Sequence, residues 1–319
     1  MAHTISKFDS RSPEVAENTD IGVYPRYLAS KKSIDDRALN PHVWEVLHQK
    51  LPQVTKKESP RILEIGAGIG TMLARAVERG LLTGAVTYVA TDREEDHLRA
   101  AQPYLSAWAA AQGHALSWSG EGQGRLRAAN ADVSIAFDLV GAEAIAAHWK
   151  GPGSFHLLIA HAVLDLIDFP ALLPGLLQRL TPDGLALLTC NFDGETIFQP
   201  EDKADEEIIH RYHASMEERL AGASHTGLRV QTFLQRPGVE ILASGRSDWV
   251  IRPHDSGYSE AEKYFLHAII QTVEQELGNQ DRPPAGLRDW ACSRRRQVEA
   301  GTLSFRARNL DLLARRRPR

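Results

Sequence analysis

Three glycines at alternate positions follow an apolar run and precede a helical pattern, in Glu64-Ile-Gly66-Ala67-Gly68-Ile-Gly70. Glycine lets backbone amides come close to a ligand and lets a turn adopt positive φ. Amides at a helix start welcome a carboxylate or phosphate. A dinucleotide fingerprint spaces its glycines as G-x-G-x-x-G, and here the third comes one residue early. Glu64, two residues before Gly66, would repel a pyrophosphate and attract a cationic amine. Asp92 stands 22 residues after Gly70, at the end of the next apolar run, in Thr91-Asp92-Arg93. Alone it reads as a helix N-cap. His161 ends the run from Phe155 and is the best-placed general base; Thr189-Cys190 ends another and offers a thiol nucleophile. For Cys190 the plainer reading, a small residue closing a buried strand, is preferred. His210 and His213 read as surface residues before bases. Asp35-Asp36 read as complements to a helix N-terminus, and Tyr264, Phe265 and Leu266 as packing.

The elements that must hold these residues show a clear rhythm. Tyr27 to Leu51 is helical and split at Pro41, and a charged linker runs from Thr55 to Pro60. Strands are predicted at Ile62–Ile65, Val86–Ala90, Val133–Phe137, Phe155–Ala160 and Leu185–Thr189. Helices between them run through Arg79, from Glu94 to Gln112, from Ala142 to Trp149 and from Leu172 to Leu180. Strands alternating with helical stretches mean βαβ units and a parallel sheet covered on both faces. The class is α/β. Past Asn191 the pattern changes to helices at Asp205–Ala221, Gly227–Leu234, Glu260–Leu277 and Leu287–Ala300. Strands are predicted at Val239–Ser244, Trp249–Arg252 and Leu303–Ala314.

Taken in order, these motifs resemble the class I S-adenosylmethionine (SAM)-dependent methyltransferases over about residues 58–190, resuming at 226–252 and 303–314. The family's opening motif, acidic-x-Gly-x-Gly-x-Gly, is met by Glu64, Gly66, Gly68 and Gly70. The resemblance implies a Rossmann-like, mostly parallel sheet with an antiparallel final strand and helical lid insertions. It implies an N-terminal helical lid (1–57), a SAM-binding core (58–190), a substrate-side insertion (191–226) and a C-terminal part of the core (227–319) with a helical insertion at 253–302. Glu64 would take the methionine amine through the turn that includes Ala67, and Asp92, followed by Arg93, the ribose hydroxyls. Asp138, with Leu139 beside it, would meet the adenine edge, Asp132 being the second choice. His161 would lie at the transferable methyl as candidate base, with Tyr212 and Asp193 orienting the acceptor. The cofactor would be SAM, the product S-adenosylhomocysteine (SAH), and no metal is expected.

Subclass signatures narrow the acceptor. Base-amino methyltransferases carry an Asn/Asp-Pro-Pro-aromatic run after the fourth strand, which His161-Ala-Val-Leu does not match. Enzymes that attack RNA cytosine use a Thr-Cys as at 189–190, but with a second cysteine that is missing here. The expected function is methylation of a small molecule at N, O or C. An RNA or protein methyltransferase and a non-catalytic SAM-binding subunit are the alternatives.

Composition agrees with a globular enzyme of average make-up. The chain has 319 residues and a net charge of -4. Two cysteines cannot make a disulfide framework, so a reducing cytoplasm is expected. The polar, acidic start to Asp20 matches neither a signal nor a transit peptide, and no apolar run reaches membrane-spanning length. Residues 294–319 hold nine arginines against Glu299 and Asp311, a balance of +7 that leaves -11 on residues 1–293. Three of them fall in a predicted helix, two in the last strand, and Arg315, Arg316, Arg317 and Arg319 read as a free tail. Four charges without interleaved aromatics make a poor nucleic-acid groove, so nucleic acid is disfavoured as a partner, while a homodimer through the lid stays open.

Overall fold

A computed structural model describes residues 23–56, 58–145, 153–255 and 257–317, which build a ten-stranded sheet with helices on both faces. Helix α1 (Val23–Ala38) and α2 (Pro41–Thr55) come first, separated where Pro41 forces the break. Asn40 caps α2, its side-chain oxygen accepting from the Val43 amide at 3.2 Å. The core follows as β1 (Arg61–Ile65), α3 (Thr71–Glu78), β2 (Gly84–Asp92), α4 (Glu95–Ala111), β3 (Ala115–Gly120), β4 (Gln123–Arg127), β5 (Ala131–Leu139) and β6 (Phe155–His161). Then come α5 (Phe169–Leu177), β7 (Leu180–Gln199), α6 (Asp205–Arg219), α7 (Thr226–Leu234), β8 (Val239–Arg246), β9 (Trp249–Ile251), α8 (Glu260–Gly278), α9 (Leu287–Glu299) and β10 (Ser304–Arg316).

The sheet order is β3-β4-β5-β2-β1-β6-β7-β10-β8, with β9 beside β10. Strands β5, β2, β1, β6 and β7 are parallel, and β10 runs antiparallel between β7 and β8. This is the mostly parallel sheet with a reversed last strand that the resemblance implies. The chain steps outward from β1 to β2 and β5, then returns to lay β6 on the other side of β1. A crevice opens at such a reversal, above the carboxyl ends of β1 and β6. Alternation along β1 splits its side chains between two cores. Ile62 joins the cluster under α1 to α4, whereas Leu63 and Ile65 join the one under α5 and α7. Glu64 therefore points to the same face as Ile62, beneath the N-terminal helices.

Two features differ from the sequence expectation, and a third expectation reaches beyond the described residues. The β3–β4 hairpin was not predicted, because Ser-, Gly- and Arg-rich edge strands carry little of the β-branched pattern that marks a strand. Strand β7 continues past Cys190 to Gln199, so Asn191 and Asp193 belong to the sheet rather than to an insertion. The helix expected at Ala142–Trp149 lies partly outside the described residues.

Of the expected free tail, Arg315, Arg316 and Arg317 are held by partners, and Arg319 lies outside the described residues. Arg306 and Arg308 pair with Glu195 and Asp193, and Arg315 and Arg317 with Glu240. Arg316 donates to the Leu180 and Gln178 carbonyls. Arg315 and Arg316 lie within β10, where neighbouring strands supply the counter-charges. Arg294, fully buried on α9, holds both oxygens of Asp205 at 2.5 Å and the Pro200 carbonyl at 2.7 Å. Arg294→Met is expected to cost about 2 kcal/mol in urea denaturation. That is less than the usual loss of a buried partner, because Asp205 keeps the Trp290 indole N–H.

Candidate functional site

A cavity of about 720 Å³ occupies the crevice above β1 and β6, within the roughly 300–1,000 Å³ typical of small-molecule sites. Its floor is the glycine turn, where Gly66, Gly68 and Gly70 all have φ between 56° and 83°. A Cβ at Gly66 would lie 2.6 Å from Val163, so the turn also lets the loop after β6 approach β1. Asp92 braces the turn from β2. One oxygen accepts from the Gly68 amide at 2.8 Å, and the other accepts from the Glu94 amide at 3.0 Å and meets His97 at 3.1 Å. Burial opposes ionisation of Asp92, but these bonds outweigh it and hold the carboxyl below its ordinary pKa. A carboxylate offers about four acceptor sites, so three bonds leave room for a ligand hydroxyl.

Glu64 lines the cavity but is only 2% exposed, and the Tyr88 hydroxyl donates to it at 2.7 Å. Burial pushes its pKa up to about 8. At neutral pH the ligand-free protein thus keeps a mostly protonated carboxyl here, not the permanent negative charge that the sequence argument assumes.

The roof is α1, which contributes Tyr24, Tyr27, Leu28, Lys31 and Asp35. Asp35 is its hub. One oxygen meets Lys31 Nζ at 2.8 Å and His161 Nε2 at 2.9 Å, and the other accepts from the Trp249 indole at 2.9 Å. The buried Arg75 guanidinium lies 3.8 Å away and also clamps Asp36, so α1 is pinned to α3 and thereby to the glycine turn. Burial would raise the Asp35 pKa, yet Lys31, the His161 bond and Arg75 hold it well below the usual carboxylate range. Asp35 and Asp36 sit in the last turns of α1, not at a helix N-terminus. Their role is ion pairing to α3 and β6, which corrects the dipole reading.

His161 ends β6 at the cavity, as expected. Burial lowers its pKa to about 4, with Asp35 pulling the other way, so the ring is neutral at pH 7. With Asp35 ionised, Nε2 donates to it, and Nδ1 then accepts from the Thr189 hydroxyl at 2.9 Å. Both nitrogens are engaged, so direct proton abstraction requires Thr189 to swing away. Cys190 also lines the cavity, in the left-handed region at φ 54°, with its amide donating to the buried Asp311 at 2.8 Å. Burial pushes its thiol pKa well up, which removes the nucleophilic thiolate reading. Donor atoms of Asp35, His161 and Cys190 lie within 4.8 Å of one another. Lys31 and Arg75 already supply the positive charge there, so the cluster is an ion-pair hub rather than a cation site.

Of the other expected residues, Gly66, Ala67, Gly68, Asp92 and Arg93 line the cavity. Gly70 lies just beneath as the N-cap of α3. Asp138 and Leu139 end β5 beside Thr91 and Asp92, but the cavity wall is made by the next residues, Val140 to Glu143. Tyr212 is buried on α6, and Asp193 accepts from the Leu228 amide on the far side of β7 from the lining residue Phe192. Neither is brought to the lining. His97, Asp165, Phe192, Trp249 and Asn309 line it unforeseen. The i,i+4 pairs Lys31–Asp35 and Lys32–Asp36 were a legible sign that α1 carries a charged face.

Strand order and cavity together define an open α/β fold with a ligand crevice at its switch point, the arrangement that the resemblance to class I methyltransferases implies. No family model and no curated protein matches the sequence. Among solved structures, a SAM-dependent methyltransferase of Methanosarcina mazei aligns at 11% identity over 88% of this chain and 99% of its own, with a TM-score of 0.46. A phosphoethanolamine N-methyltransferase of Haemonchus contortus, in complex with S-adenosylhomocysteine, aligns at 14% over 92% of this chain and 57% of its own, TM-score 0.40. The cyclase SpnF aligns at 14% over 92% and 93%, TM-score 0.39. With likeness this distant, function rests on the chain's own residues.

Proposed function

We propose that the protein is a SAM-dependent methyltransferase acting on a small-molecule acceptor. The observation that carries this reading is one continuous cavity, which runs from the glycine turn and Asp92 past His161 to Phe192 and Trp249 under the roof of α1. One end has the features of a nucleoside site and the other has room for an acceptor. Asp92 would receive a ribose hydroxyl on its remaining lone pair, and the amides of the glycine turn would face the aminoacyl carboxylate. Glu64 would face the ammonium, and the segment from Asp138 and Leu139 to Glu143 would border the adenine.

When bound, SAM supplies an electrophilic methyl on a sulfonium. The chain's part is to align donor and acceptor, exclude water and receive a proton where the acceptor carries one. His161 would hold the roof through Asp35 and, with Thr189 displaced, serve as proton acceptor. The roof favours a small acceptor over a polymer, and Arg306, Arg315 and Arg317 are engaged by carboxylates rather than offered to a polyanion. Among the described residues no helix is long and apolar enough to cross a membrane.

Calorimetry with SAH tests the cofactor half. The wild type is expected to bind, and Asp92→Ala to weaken binding at least tenfold. No binding at millimolar SAH, or equal binding by the variant, would sink the reading.

A further inference from the structure

Two groups of the cavity lining stand without partners among the described residues, and both are hydrogen-bond acceptors. Asp165 lies in the 3-10 turn Leu164–Leu166 that follows β6, and it lines the cavity without a hydrogen bond or ion pair among the described residues. Asn309 of β10 lines it too. It is 1% exposed, and its Oδ1 has no partner. A buried acceptor without a donor is costly, and such groups in native proteins call for an explanation. The cations on the same wall are all engaged: Lys31 by Asp35, Arg93 by Glu94, Arg99 by Glu95 and Asp96.

The same cavity carries aromatic side chains. Tyr24 and Tyr27 share the roof with ring centroids 5.7 Å apart, and Phe192 and Trp249 also line the cavity, Trp249 bonded to Asp35 of the roof. Burial holds both phenols well above their ordinary pKa, so the roof presents them as neutral rings. A carboxylate without a partner among the described residues, in a cavity lined by aromatic rings, suits an organic cation that brings N–H donors of its own.

Taking the methyltransferase reading as its basis, we propose that the methyl acceptor is a small organic amine, held as its ammonium by Asp165, with a second N–H or O–H accepted by Asn309. The ammonium gives one proton to the Asp165 carboxylate, which for an amine acceptor takes the proton-accepting role in place of His161 and passes the proton to solvent. The nitrogen lone pair then forms the new C–N bond as the C–S bond breaks. The electron pair of that bond stays on sulfur, leaving an N-methylammonium and SAH.

The experiment is calorimetry on the full chain saturated with SAH at pH 7, using two matched probe pairs: phenethylamine against 2-phenylethanol, and ethanolamine against ethylene glycol. At least one amine is expected to bind ten times more tightly than its alcohol. Asp165→Asn is expected to erase that ratio while SAH affinity stays unchanged, which also shows that the variant is folded. Equal affinity within both pairs, or an Asp165→Asn variant that keeps the preference, overturns the proposal. So does a variant that loses SAH as well, since Asp165 would then belong to the cofactor. A wild type that binds no SAH sinks the methyltransferase reading itself, whereas SAH binding without an amine preference sinks only the choice of acceptor.

Discussion

Asp35→Asn is expected to destabilise the protein by about 3–5 kcal/mol, the usual loss when one member of a buried ion pair is removed. Asp35 is 2% exposed and Lys31 6%. Their 2.8 Å contact is reinforced by bonds from His161 and Trp249. Asparagine keeps the size and one acceptor oxygen but strands the Lys31 charge. Arg75 retains Asp36 and is less affected. Urea midpoints measure the loss. The double variant Lys31→Met/Asp35→Asn is expected to recover part of it, because the stranded charge is then gone. A single variant within 1 kcal/mol of wild type would show that the hub contributes little and that α1 is held mainly by its apolar side.

Glu64→Gln is expected to change how stability depends on pH. Glu64 titrates at about 8 in the folded protein against an ordinary 4.5. Between those values the folded state holds a proton that the unfolded chain has released. Stability from this group is therefore fully present below pH 4.5 and falls as pH rises toward 8. The slope is at most about 1.4 kcal/mol per unit. Glutamine cannot ionise, so relative to the variant the wild type should lose stability steadily from pH 5 to 8. Paired denaturation curves at pH 5, 6, 7 and 8 give this difference directly. A gap between the two proteins that does not move with pH would mean that Glu64 ionises normally. His161 contributes with the opposite sign: its folded pKa of about 4 lies below the ordinary 6.5. Protonation of the unfolded chain therefore weakens the fold as pH falls below 6.5, equally in both proteins.

The same proton bears on the proposed cofactor. An ammonium docked against Glu64 favours its ionised form, so SAH affinity should rise with pH up to about 8. Proton release should appear as a buffer-dependent binding enthalpy.

Much of the scaffold was legible in the chain. The spacing of Gly66, Gly68 and Gly70 after β1, the acid ending β2 and the strand–helix rhythm are local patterns, since a tight turn needs glycine wherever it sits and parallel strands need apolar runs. They set the switch point, and with it the cavity floor of Gly66, Gly68 and Asp92. The chain also placed His161 at the end of β6, because strand ends are read from where the apolar run stops.

Tertiary structure decided the rest. Whether Glu64 is charged depends on Tyr88 and on burial under α1 to α4, neither of which lies near it in sequence. Asp35 became a hub, not a helix-end charge, because packing brought His161, Trp249 and Arg75 to it from 40 or more positions along the chain. Tyr212 and Asp193 seemed close to the site in sequence, yet strand β7 ran on and carried them elsewhere. Arg315, Arg316 and Arg317 looked like a free tail until Glu240 and the Leu180 carbonyl met them across the sheet. Local pattern selects which element forms and where it stops. Side-chain partners and protonation states depend on charges and burial contributed by elements distant in sequence, and these exist only once the sheet and its helices have assembled.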